Sequence, residues 1–206
     1  MRFRARALAL ALAVAVTATL GAACSSDDDD GTVGAGPPGA ENPADDASAS
    51  EDHNGADVAF AQMMIPHHTQ AVAMADLAPD RSENEAVLDL AARIKAAQAP
   101  EIDQMREWLA GWGEEVDDPT MGEMDMGASG MMTDEEMGAL EAASGTEFDV
   151  LFLEMMTAHH EGAVEMAGVE IADGQFAEAV ELARAIVSAQ EAEMAEMEMI
   201  LDDIES

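Results

Sequence analysis

The chain has 206 residues, with 8 Lys and Arg against 44 Asp and Glu and a formal net charge of −36. So acidic a surface repels phosphate, which excludes nucleic acid as a partner and favours cations instead. Aromatic residues make up 3%, tyrosine is absent and 17 residues are Met; the abundance of Ala, Leu, Glu and Met, all helix formers, predicts an all-α protein.

The first element is a targeting segment. Arg2, Arg4 and Arg6 precede the apolar run 7–23, and small residues lead from it to Cys24. This is the pattern of a cleaved export signal rather than of a folded helix. A cysteine directly after small residues is similar to a bacterial lipoprotein cleavage site, with Cys24 carrying the lipid. The expected location is therefore the outer face of the cell membrane or the periplasm. Cys24 is the single cysteine, so no disulfide can form within the chain. Residues 24–55 are acidic and rich in Gly, Pro, Ser and Ala, with too little apolar surface to offset chain entropy. They are expected to form a disordered tether, and His53 is assigned to it without a role.

Residues 56–206 are long enough for one core. Their organisation is an internal repeat. "DVAFAQMMIPHHTQAVAMA" (57–75) and "DVLFLEMMTAHHEGAVEMA" (149–167) are identical at 11 of 19 positions. The register persists without a gap, so Ile94, Gln98, Glu101, Met105 and Leu109 align with Ile186, Gln190, Glu193, Met197 and Leu201. Each half is predicted to be a pair of long helices, and the two pairs a four-helix bundle. The first repeat covers 56–113, a Met-rich linker 114–132, a short helix 133–143 and the second repeat 146–205. Asp57 and Asp149 lie near helix starts, where a negative charge is favoured. Ser82 with Glu85, and Thr133 with Glu136, have the spacing of capping boxes. Pro66 and Pro100 interrupt helical patterns in the first half, where the second has Ala158 and Ala192.

The hexads MMIPHH (63–68) and MMTAHH (155–160) carry four of the five histidines. At about 100° per residue, Met63, Met64, His67 and Met74 share one face, and His68 falls at its edge. Met155, Met156, His159, His160 and Met166 repeat the arrangement. On the second helix of each half, Gln98 and Glu101, like Gln190 and Glu193, occupy positions with core spacing. A buried carboxylate needs a partner, and a carboxylate–imidazole contact is how metal-bound histidines are usually supported. Thioether sulfur is a soft, neutral donor suited to Cu(I), with Ag(I) as a substitute, and imidazole suits copper too. Met121, Met124, Met126, Met131 and Met132 of the linker are candidate accessory donors. No nucleophile, phosphate loop or acid–base pair marks a catalyst, so the reading is binding rather than an enzyme. Two other readings stay open. One is a metal-free helical interaction module whose histidines pack or sense pH. The other is a di-metal oxidase, although Met64 and Met156 stand where its Glu-x-x-His motif needs Glu. The apolar faces are also compatible with a homodimer, and no protein partner is indicated.

The paired M-M-x-x-H-H hexads, the AVAMA and AVEMA that follow them, and "MREWLAGWG" (105–113) resemble the domain-of-unknown-function 305 family over residues 55–205. The resemblance implies a ferritin-like four-helix bundle in an exported bacterial protein. Some methionine-rich members bind copper and are linked to copper resistance. That implication falls on Met63, Met64, His67, His68 and Met74, and on Met155, Met156, His159, His160 and Met166. The function expected is extracytoplasmic copper buffering, resistance or delivery.

Overall fold

A computed structural model describes residues 52–115 and 130–206. The expected signal segment, Cys24, residues 24–51 of the expected tether and Met121, Met124 and Met126 lie outside the described residues. Among the described residues five helices form: α1 (Gly55–Arg81), α2 (Glu85–Trp112), α3 (Asp134–Ala142), α4 (Thr146–Asp173) and α5 (Ala177–Glu205). The protein is all-α, as its composition predicts. α1 pairs with α2 and α4 with α5, giving the two repeated hairpins; α1 also packs on α4, and that seam joins the halves. The short α3 touches both α1 and α4.

The helix ends follow local chemistry. Asn54 caps α1: its side chain accepts from the amides of Ala56 and Asp57, and the Asp57 carboxylate accepts from the Asn54 amide at 2.6 Å. Thr133 and Glu136 form the reciprocal pair predicted for the short helix. Ser82 and Glu85 do not. Ser82 instead closes α1, its amide donating to the Ala78 carbonyl, and Asn84 caps α2 by accepting from the Ala86 amide. A serine two residues before a better-placed Asn serves the helix behind it rather than the one ahead. Gly113 ends α2 at φ 78°, the left-handed position that glycine adopts without a Cβ clash.

His53 is not part of a featureless tether. Its ring stacks on Trp112 at 4.4 Å between centroids, and Trp108 and Phe176 complete an aromatic group at that end of the bundle. The same end holds a buried carboxyl pair. Asp57 accepts from the amides of Gln175 and Phe176 at 3.0 and 2.9 Å, tying the start of α1 to the α4–α5 turn. Burial pushes the Asp57 carboxyl up, but these amides, the Asn54 amide and the Glu170 side chain outweigh it and hold it below the usual range. Glu170 is buried as well and is pushed up to about 8, first by burial and then by the neighbouring Asp57 carboxylate.

The core is divided. One apolar cluster gathers Met74, Leu90, Ile94, Phe148, Phe152 and Met156. The other gathers Phe60, Met64, Ile65, Met105, Leu109 and Ile186. Between them lies a layer of buried polar side chains: His67, His68, Gln98, His159, His160 and Gln190. Among the described residues no helix is long and apolar enough to cross a membrane.

Candidate metal centre

The layer is a product of the repeat. α1 and α4 each present two successive histidines, and successive helical positions diverge by about 100°. One histidine of each pair therefore faces the α1–α4 seam, and the other turns towards the second helix of its own hairpin. Across the seam the rings of His67 and His159 lie 3.6 Å apart between centroids, tilted by 35°. The other two point outwards to carboxylates: His68 Nε2 lies 2.7 Å from Glu101 Oε2, and His160 Nε2 lies 2.7 Å from Glu193 Oε2. The two contacts have the same length in both halves.

All four imidazoles are fully buried. His68 and His160 are thus deeper than a single helix predicts, because α2 and α5 cover the edge of the face on which they sit. A neutral ring that donates Nε2–H to a carboxylate carries its lone pair on Nδ1. In His68 and His160 that Nδ1 has no hydrogen-bond partner among the described residues. The same holds for both ring nitrogens of His159, for both polar side-chain atoms of Gln98 and for Oε1 of Gln190. Burial, followed by the nearby His67, His160 and His68, holds His159 well below the ordinary histidine range, so it stands as a neutral ring. Such a concentration of unpaired polar atoms is costly; each one buried dry costs about 1–3 kcal/mol. A cation accepting imidazole lone pairs would offset that cost.

The thioethers divide by depth. Met64, Met74 and Met156 are fully buried, whereas Met63, Met155 and Met166 are half-buried. Met64 and Met156 stand one turn before the inward histidines, on opposite sides of the polar layer. Met131 and Met132, the last linker methionines, are buried against the bundle. Among the described residues, no group of three or more His, Cys, Asp or Glu side chains is placed to hold a metal ion. A metal in this layer would have to be held by imidazoles together with thioethers, a donor set that fits a soft ion such as Cu(I) and suits Mg or Ca poorly.

Gln70 was not singled out by its pattern. Its side-chain amide donates to the Met132 carbonyl at 2.8 Å and accepts from the Met132 amide at 2.7 Å. The clue available in the sequence was a break in the repeat, since Gly162 stands where Gln70 would recur.

A family model, domain of unknown function 305 (DUF305), matches residues 57–201. Among solved structures, a DUF305 protein from Streptomyces coelicolor is 37% identical, covering 73% of this chain and 94% of that one with a TM-score of 0.67. A DUF305 fragment from Deinococcus radiodurans is 32% identical, covering 73% and 97% with a TM-score of 0.68. CopM in its Cu(II)-bound form is 30% identical, covering 71% and 96% with a TM-score of 0.63, and its Cu(I)- and silver-bound forms match as well. No curated protein sequence matches the chain. With the doubled hexads, the divided core and these matches in hand, the chain belongs to the DUF305 family.

Proposed function

We propose that this protein binds copper as Cu(I), with Ag(I) as a substitute, and buffers it or hands it on outside the cytoplasm. One observation carries the reading: four buried imidazoles lie between fully buried thioethers, and among the described residues His68, His159 and His160 have ring nitrogens with no hydrogen-bond partner. His67 and His159 supply the seam, His68 and His160 supply Nδ1, and Glu101 and Glu193 orient the outer rings. The resemblance to CopM, whose structures include Cu(I)-, Cu(II)- and silver-bound forms, supports the same reading. The net charge of −36 draws cations towards the surface. Imidazole and thioether are neutral, so a monovalent ion bound by them keeps its charge within a low-dielectric layer. That ion substitutes for the proton which burial keeps off His159.

The test is a Cu(I) titration of the purified protein against a competing chromophoric chelator, beside His67→Ala/His159→Ala. Wild type is expected to compete, and the double variant to lose at least about two orders of magnitude in affinity, more than the 10–100-fold typical of supporting groups alone. Equal binding in both would place copper elsewhere. No binding in either would return the histidines to a packing role, as in a metal-free module.

Export and tethering belong to the same proposal and rest on residues 1–24. Cys24→Ala is expected to move the protein from the membrane fraction to the soluble one. A membrane share equal to wild type would defeat the lipid anchor without touching the metal centre.

A further inference from the structure

We infer that Met131 is a sulfur donor to the histidine layer, held there by Gln70; the inference rests on the copper reading above. Every other buried apolar side chain described belongs to one of the two core clusters, Met132 included. Met131 is buried and belongs to neither. The burial of Met131 is therefore not that of a side chain in either apolar core.

The backbone on either side locates it. Gly130 has φ 70°, and a Cβ there would fall 2.4 Å from the Ala158 carbonyl oxygen and 3.2 Å from the Gly162 backbone. Ala158 and Gly162 bracket His159 on α4. One residue beyond Met131, both backbone polar groups of Met132 are held by the Gln70 side chain, one turn past His67 on α1. Residues 130–132 therefore run from the flank of His159 to the flank of His67 across the α1–α4 seam. Met131 is the residue in the middle of that crossing.

The asymmetry between the halves serves the same end. At the aligned positions 70 and 162 the first half keeps a long amide, which reads the backbone of Met132. The second half has glycine, which lets the backbone of Gly130 come close. The buried, two-bonded amide fixes three residues of linker in one place, and so lowers the ordering cost of bringing a thioether to the site.

The experiment pairs the Cu(I) titration with X-ray absorption at the copper edge on the full chain. The samples are wild type, Met131→Leu, Met132→Leu and Gln70→Ala, with helix content and melting checked by circular dichroism. Leucine conserves volume and removes only the sulfur. Met131→Leu is expected to lose one copper–sulfur scatterer and at least about tenfold in affinity, the lower bound for groups that support a metal site. Gln70→Ala is expected to lose the same scatterer although Met131 is still present, and Met132→Leu to lose neither. If wild type binds and Met131→Leu keeps the wild-type sulfur count and affinity, the inference is wrong and the copper reading stands. Should Met131→Leu fail to fold, a Gln70→Ala protein with unchanged sulfur count overturns it equally. Absence of Cu(I) binding by wild type overturns both.

Discussion

Glu170→Gln is expected to abolish most of the fall in stability that the wild-type protein shows between pH 6.5 and about 9. The carboxyl of Glu170 is pushed from the ordinary 4.5 up to about 8. In the unfolded chain it ionises near 4.5, so between the two values the folded state holds a proton that the unfolded state has lost. The stability from this proton is complete below pH 4.5, declines as pH rises, and is gone above about 8. Each pH unit in that window is worth about 1.4 kcal/mol, so the whole effect is on the order of a few kcal/mol. His159 is shifted in the opposite sense, which costs stability only below its ordinary value of 6.5. Measuring above pH 6.5 therefore isolates Glu170. Glutamine keeps the shape and stays neutral, so urea midpoints of the variant should be nearly flat where those of wild type fall. Parallel curves for the two proteins would mean that Glu170 is not the group responsible.

This pair shows where the sequence stops being legible. Asp57 reads correctly as an acidic residue near a helix start, and its repeat partner Asp149 reads the same way. Nothing in the repeat points to Glu170, because the aligned residue of the first half is Ala78. The contact joins the start of α1 to the far end of α4, and only the packing of one half on the other creates it. The same limit applies to His68 and His160. A single helix places them at the edge of an apolar face; a second helix laid over that edge buries them.

The parts that were legible are those that periodicity and repetition encode together. The register carries His67 onto His159 and Glu101 onto Glu193, and core spacing marks Glu101 and Gln98 as polar residues in need of partners. The linker follows no period, so the position of Met131 and its anchorage by Gln70 depend on tertiary contacts. Even local capping was ambiguous where two candidates stood close together. Ser82 has the sequence spacing of a cap for α2, but the helix behind it had already claimed its backbone.

Exchanging both outer carboxylates, Glu101→Gln with Glu193→Gln, is expected to lower Cu(I) affinity about 10–100-fold while leaving the bundle folded. Each carboxylate lies 2.7 Å from the Nε2 of a fully buried histidine. A carboxylate can only accept, which compels a neutral ring to carry its proton on Nε2 and its lone pair on Nδ1. Glutamine has nearly the same shape but both accepts and donates. Its amide can satisfy Nε2 with the proton present or absent, so the tautomer with Nδ1 available is no longer enforced. The variant also removes two negative charges from beside a layer proposed to hold a cation, and both effects weaken metal binding. Stability without metal should change little, because a hydrogen bond to Nε2 remains available in either half. Chelator competition measures the first quantity and thermal melting the second. A fall in affinity with an unchanged melting temperature assigns the carboxylates to the orientation of the rings. A fall in melting temperature with unchanged affinity would make them structural partners of two core histidines, and the copper centre would then have to be built from the seam histidines and thioethers alone.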